Sequence, residues 1–389
     1  MRLKDVGLTA EQLKAQVKKY MIETYERMDF VADTAKGVYM YDENGVPYLD
    51  FYAGIAVNSM GNCNPEVVKA VIDQTQDIMH TFNYPYTVPQ AILSKEICET
   101  IGMDKIIYQN SGSEANEAMI KMARKYGVDH YGPDHFEIIT AKKSFHGRTL
   151  GAMTATGQPD SAIQKGFGTL PVGFVYAEYN NVKAFEEAIT PNTCAIMFEP
   201  VQGEGGVFPA TQEFSEVQAG WCRRGTFMCY QSYGVKPDGV SMAKAMGGGM
   251  PIAAVAATNE LASAFTPGSH GSTYAGHPVA CAASLAQLHE MKAFGAAENA
   301  KKMGDYFCAA LAKMPHVKEV RHRGLFVGVE FEDGINSVEV KHHCIDNHLL
   351  VTAIGSNIIR MVPPLIITEA DCDKAVELLT KSVLEVAGK

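Results

Sequence analysis

The sequence predicts an α/β protein: a mostly parallel central sheet with helices on both faces, joined to a smaller α+β domain. Two features carry that expectation. Apolar runs of strand length alternate with helix-like runs through the middle of the chain, the rhythm of parallel strands buried on both faces. From about residue 278 the pattern changes: a long helical run, PVACAASLAQLHEMKAF, gives way to shorter strand-like runs, GLFVGVEF and LLVTAIGSNIIRMVPPLIIT. At 389 residues the chain also exceeds one small core. Three parts are expected: an N-terminal helix and hairpin segment over residues 1–58 that packs with the small domain, a large domain over 59–277, and a C-terminal small domain over 278–389.

The elements follow in order. MRLKDVGLTAEQLKAQVKKYMIE is charged and helix-like, and GVYMYDENGVPYLDF reads as a hairpin with Asn44-Gly45 at its turn. KIIYQ is a strand that leads into a helix over about 114–126, and FEIITA is the next strand. VKAFEEAI is a short amphipathic helix before the strand AIMF. SMAKAMGGGMPIAAV then sets one lysine, Lys244, among small apolar residues and follows it with three glycines. No helix or strand interior tolerates such a run, so backbone comes close to something at Lys244.

Composition excludes several roles. Apolar residues make up 47% and charged residues 20%, ordinary for a globular enzyme. A formal charge of −10 with no basic cluster argues against a nucleic-acid or anionic-membrane partner. The N-terminus lacks the apolar stretch of a signal peptide, and no run reaches the roughly 18 apolar residues of a membrane helix. Nine cysteines with no CxxC pair fit reduced thiols, hence a cytoplasmic location. His342, His343, Cys344 and His348 match no common metal spacing and are expected on a helix surface, so no metal is expected.

Three motifs carry chemistry, each with a plainer reading beside it. YQNSGSEANEAMIKMARKYG is a strand, a Ser-Gly-Ser turn and a helix, whose free N–H groups would cradle a phosphate; a capped turn explains it equally. AKKSFHGRTLGAMTATG puts Phe145, His146 and Arg148 on a loop after a strand, where α/β sheets bind ligands; a core phenylalanine and a solvated arginine are the alternative. IMFEPVQGEGGV ends a strand in Glu199 and Glu204 around a glycine turn, as arginine partners or as exposed turn residues. A nucleotide-binding reading of the Ser-Gly-Ser turn fails, because no Walker lysine or acidic ribose partner follows it.

Taken together, NSGSEANEA, FHGRTLGA, EPVQGEGG, EVQAG, AKAMGGGMPIAA, HGSTYAGHP and IIRMVPPLIIT resemble, in order and wording, the class III pyridoxal-phosphate aminotransferases. Within that family the resemblance is strongest to the acetylornithine enzymes, with ornithine and 4-aminobutyrate aminotransferases close behind, and it runs from about residue 38 to 368. It implies the fold type I architecture of pyridoxal-phosphate-dependent transferases, with the cofactor pyridoxal 5'-phosphate bound in the large domain. Lys244 is implied to hold the cofactor through its amine and to move the substrate proton, which needs surroundings that favour the uncharged amine. Gly112 and Ser113 are implied to bind the phosphate, with Thr273 reaching it from the second subunit of a homodimer. Phe145 is implied to stack on the pyridine ring, and Gln218 to lie near its hydroxyl. Arg360 is implied to take the α-carboxylate of glutamate and Arg148 the other carboxylate, while Glu204 neutralises Arg360 for the amine substrate. The implied reaction is ω-transamination between N-acetylornithine, or a related ω-amine, and 2-oxoglutarate in arginine biosynthesis.

The sequence departs from the family pattern in three places. GHCHP is here Gly61-Asn62-Cys63-Asn64-Pro65, and GNP is Gly276-His277-Pro278; both are peripheral. In the third, Ser215 stands where the family carries an aspartate before EVQ, the carboxylate that keeps the pyridine nitrogen protonated. A helix and a strand of the family pattern, on the order of 17–20 residues by typical element lengths, are absent before Ser215. Their loss would leave sheet neighbours unpaired and impair catalysis before cofactor binding. A pyridoxal-phosphate-binding protein without turnover is therefore an alternative reading.

Overall fold

The structure is a computed structural model that describes residues 1–211, 214, 222, 223 and 225–388. Ser215, Glu216 and Gln218 lie outside the described residues. The strands, in chain order, are β1 (Ala32–Lys36), β2 (Tyr39–Asp42), β3 (Pro47–Asp50), β4 (Lys105–Gln109), β5 (Glu137–Ala141), β6 (Phe174–Ala177), β7 (Thr193–Met197) and β8 (Val201–Gln202). They continue with β9 (Phe208–Pro209), β10 (Gly239–Met242), β11 (Ala253–Ala257), β12 (Val317–Arg323), β13 (Phe326–Phe331), β14 (Leu349–Leu350), β15 (Thr352–Ile354) and β16 (Ile358–Met361).

The N-terminal hairpin forms as its Asn44-Gly45 turn predicts. Asp42 Oδ1 accepts from the N–H groups of Asn44 and Val46, and Gly45 takes φ 81°, a conformation open to glycine. Its third strand runs parallel to β14, so this segment shares a sheet with residues of the C-terminal part. That part is a four-stranded sheet in the order β12-β13-β16-β15, with the helices Ala296–Leu311, Ser337–Asp346 and Glu369–Ala387 packed around it. On Ser337–Asp346, His342 pairs with Glu26 and His343 with Glu385, while Cys344 is buried.

Strands of the middle region form two three-stranded sheets rather than one continuous sheet. The first has the order β10-β11-β4, with β11 antiparallel to both neighbours, and the second is the parallel set β6-β5-β7. Among the described residues, β7 pairs only with β5 and β10 only with β11. Exposure agrees with this break. β11 is buried throughout and β5 nearly so, whereas Ile196 on β7 is 43% exposed, which a covered interior strand would not allow.

The helix Gly112–Tyr131 covers both sets. It packs on β10 and β11 from one side and on β5 and β7 from the other, and so spans the break. Gly127 on this helix has no room for a side chain: an added Cβ would lie 2.3 Å from the carbonyl oxygen of His135. Among the described residues, no helix is long and apolar enough to cross a membrane.

The break makes an asymmetric packing prediction. Ile139 on β5 is fully buried, so Ile139→Ala should cost about 2–5 kcal/mol of stability, whereas Ile196→Ala should cost under about 1 kcal/mol. Paired denaturant titrations of the two variants test this; an equal large loss would mean that β7 is a covered interior strand.

Candidate active site

The carboxyl ends of β4, β5, β7 and β10 and the amino end of β11 converge on a cavity of about 540 Å³, within the size range of small-molecule sites. Lys244 stands at its floor, two residues beyond the end of β10, in a left-handed conformation with φ 53°. An uncommon backbone geometry for lysine, it is held between buried Met242 and Ala245. Small residues around it leave the room that the glycine run predicted: Ala243, Ala245 and Gly249 all line the cavity.

Opposite lies the N-terminus of the helix Gly112–Tyr131. Ser111 caps it, accepting from Glu114 N–H at 3.3 Å, and Glu114 in turn accepts from Asn110 N–H at 3.0 Å. The first-turn N–H groups of Gly112 and Ser113 have no intrahelical acceptor and face the cavity, which makes this an anion cradle. The loop of Phe145 is laid directly across this cradle. Arg148 N–H donates to Ser113 Oγ at 3.1 Å, and Gly147, at φ 141°, has no space for a Cβ, which would lie 2.4 Å from that same oxygen. Phe145 lines the cavity, whereas Arg148 is exposed, does not line it, and lies over the Phe145 ring, 5.5 Å from the centroid.

Glu204 and Arg360 close the other side. Arg360 Nη1 donates to Glu204 Oε1 at 2.6 Å, with the arginine side chain 5% exposed and the glutamate 37%. Burial raises the Glu204 carboxyl, but the charge and hydrogen bond of Arg360, helped by Lys244 and Arg148, outweigh it and hold the group below the ordinary glutamate value.

Three further residues shape the site: Glu199, open in the sequence between an arginine partner and an exposed turn residue, and Asn116 and His146, to which the sequence gave no role. Glu199 accepts from Phe145 N–H at 2.8 Å and from Gly203 N–H at 3.4 Å, tying the Phe145 loop to the Glu204 turn. Asn116 donates to the carbonyl of His146 at 2.6 Å and accepts from Ser241 on β10 at 2.6 Å, bridging the two sheets. His146 is 2% exposed, and neither ring nitrogen meets a partner among the described residues; burial pushes its pKa down to about 4, so the ring is neutral near neutrality. Their signal in the sequence is only position, at strand ends and beside a motif. Thr273 is exposed and does not line the cavity of its own chain, and Gln218 lies outside the described residues.

The profile of the family described as Aminotransferase class-III matches residues 20–216 and 214–383. The chain belongs to the class III aminotransferases. It is 41% identical to the acetylornithine aminotransferase of Caldanaerobacter subterraneus subsp. tengcongensis, over 95% of this chain and 98% of that one. To the acetylornithine aminotransferase of Methanocaldococcus jannaschii it is 39% identical, over 95% and 97%. An ornithine aminotransferase structure from Toxoplasma gondii superposes with a TM-score of 0.93 at 30% identity, covering 99% of this chain and 97% of the other. An acetylornithine aminotransferase structure from Elizabethkingia anophelis gives 0.85 at 28% identity, covering 97% and 100%.

Class III aminotransferases are pyridoxal-phosphate-dependent enzymes, and the cavity fits that cofactor: an anion cradle, a flat aromatic wall and a lysine surround one space. The two matched pieces of the profile meet at residues 214–216.

The paired carboxylate sets a pH dependence. Because Glu204 sits below its ordinary value in the fold, its contribution is present above about pH 4.3 and is lost as pH falls through the lower folded value. Glu204→Gln should flatten the decline of melting temperature across that acid window. An unchanged decline would show that the pair contributes nothing to stability.

Proposed function

We propose that this aminotransferase moves an amino group between N-acetylornithine and 2-oxoglutarate, as in arginine biosynthesis, using pyridoxal 5'-phosphate held by Lys244. The observation that carries the reading is the Glu204–Arg360 pair at the cavity wall, with the charge of Arg148 also favouring the Glu204 carboxylate. A five-carbon dicarboxylate asks for two cations, whereas the ω-amine presents its reacting end with no carboxylate beside it. One arginine must then be silenced for one substrate and open for the other, and a glutamate on a turn supplies that switch. Ornithine and 4-aminobutyrate place the same demand and are the competing amines.

In this reading the N–H groups of Gly112 and Ser113 hold the phosphate, with Thr273 of a second subunit, and Phe145 covers one ring face. Gln218 is assigned to the ring hydroxyl. Pyridoxal phosphate, when bound, supplies the electron sink that stabilises negative charge at the amine-bearing carbon. Lys244 Nζ takes the proton from that carbon and returns it. Arg148 orients the distal carboxylate by a bidentate contact. The homodimer is supported by the exposed apolar residues Ile78, Met79, Phe82, Tyr84, Tyr86, Val88 and Tyr274, which neighbour the Thr273 loop through the Asn83 to Ala275 hydrogen bond of 2.8 Å. Residues 59–277 are assigned to the large domain that carries Lys244 and the phosphate cradle, with 1–58 and 278–389, which supplies Arg360, as the flanking parts.

A second reading rests on specific observations and concerns competence. Among the described residues, β7 and β10 each keep one edge without a strand partner and the His146 ring nitrogens have no partner; with the exposed Ile196 and the profile match in two pieces, this fits the loss of one helix and one strand before Ser215. With it would go the carboxylate that keeps the pyridine nitrogen protonated. A serine hydroxyl cannot hold a positive charge there, so the chain would load cofactor and turn over slowly.

Two experiments separate these readings. Borohydride reduction of the loaded protein followed by peptide mapping should place the adduct on Lys244, and an adduct on another lysine would refute the assignment. Restoring a helix and strand with its aspartate before Ser215 should raise turnover of N-acetylornithine about 10²–10⁴-fold, equivalent to 3–5 kcal/mol of transition-state stabilisation. Equal rates would mean that the chain is already a competent enzyme, and a preference for an α-amine donor such as aspartate would refute the ω reading.

A further inference from the structure

The turn that carries Glu204 is gripped at two points by one row of the C-terminal sheet. Cross-strand register places Arg321 on β12 opposite Gly328 on β13, and Gly328 opposite Arg360 on β16. Directly opposed residues share a face of the sheet, so the row presents two arginines flanking a glycine. The hairpin of β8 and β9 lies across it. At one end Arg360 holds the Glu204 carboxylate at 2.6 Å; at the other, Arg321 Nε donates to the carbonyl of Gly206 at 3.2 Å. The Arg321 guanidinium also lies over the Phe208 ring, 4.3 Å from its centroid.

Between the two grips the fit leaves no slack. Val207 is fully buried and adopts φ 59°, an outlier for a β-branched residue, and it rests on Gly328, where an added Cβ would lie 2.9 Å from Val207 Cβ. Gly206, at φ 116°, has no room for a Cβ, which would meet Phe208 and Ile358 at 2.9 and 3.0 Å. Arg321 is 7% exposed and is itself fixed by Glu330 at 2.7 Å and by Glu319. Substrate does not reach it, since it does not line the cavity.

We propose that Arg321 is the positioning residue of the Glu204 switch: by holding the Gly206 carbonyl and the Phe208 ring, it sets how strongly Glu204 competes with a substrate carboxylate for Arg360. This rests on the reading of Glu204 and Arg360 given above. When a dicarboxylate binds, Glu204 must leave Arg360 while the turn stays in place, and the Arg321 grip keeps the carboxylate poised to return. Without it the turn loses its registered end, Glu204 spends less time on Arg360, and the dicarboxylate gains an emptier partner.

The test is calorimetric binding of glutarate, an unreactive five-carbon dicarboxylate, to the loaded protein. Glu204→Gln should tighten glutarate about tenfold, and Arg321→Met should do the same in the native background yet add nothing in the Glu204→Gln background. Arg321→Lys keeps the buried cation beside Glu330 while losing the planar contact with Phe208. It should fall between native and Arg321→Met, and it carries the test if Arg321→Met does not fold. If Glu204→Gln leaves glutarate affinity unchanged, the switch reading itself fails. If Glu204→Gln tightens binding but the Arg321 variants do not, or if they shift affinity equally in both backgrounds, Arg321 is merely structural and the proposal is overturned.

Discussion

The ion pair between Glu204 and Arg360 joins parts of the protein that are otherwise separate in the chain. An arginine 4% exposed cannot stay unpaired without a large desolvation cost, so Glu204 is needed wherever no substrate carboxylate is bound. That requirement fixes the rest. The turn must sit against the C-terminal sheet, the sheet must offer a gap at Gly328, and Glu199 must tie the turn back to the Phe145 loop. The same side chains that satisfy a buried charge thereby assemble three walls of one cavity.

The opposite walls follow from backbone needs. Gly147 lets the Phe145 loop approach the helix N-terminus at Ser113 closely, and the Asn116 amide bridges the His146 carbonyl and Ser241 across the two sets of strands. That bridge matters more here than in an unbroken sheet. With β7 and β10 lacking a described common neighbour, alignment of the Phe145 loop with Lys244 rests on the helix Gly112–Tyr131 and on a side-chain amide.

Legibility in the sequence tracked how local each constraint is. Lys244, the Ser-Gly-Ser turn and the Phe145 loop were readable because close approach to a ligand forces small residues and glycines into one contiguous stretch. The Arg321, Gly328 and Arg360 row was not, since only strand register brings residues that far apart into line. The sequence left Glu199 between an arginine partner and an exposed turn residue, because the donor it holds beyond its own turn, Phe145 N–H, lies 54 residues away in the chain. The helix was expected over about 114–126 and runs from Gly112 to Tyr131, because a capped N-terminus and an amphipathic tail extend it beyond its apolar core. The α/β class was legible from strand rhythm, but among the described residues the middle strands pair as two sets, since rhythm reports strands and not which neighbours they keep.

In the proposed function one carboxylate, Glu204, serves two substrates through its hold on Arg360. Single-turnover rates of the two half-reactions in Glu204→Gln address it directly. The glutamate half-reaction should be unchanged or faster, while the N-acetylornithine half-reaction should slow by about 10–100-fold, the scale of losing a charge-assisted partner. A uniform change in both half-reactions would contradict it.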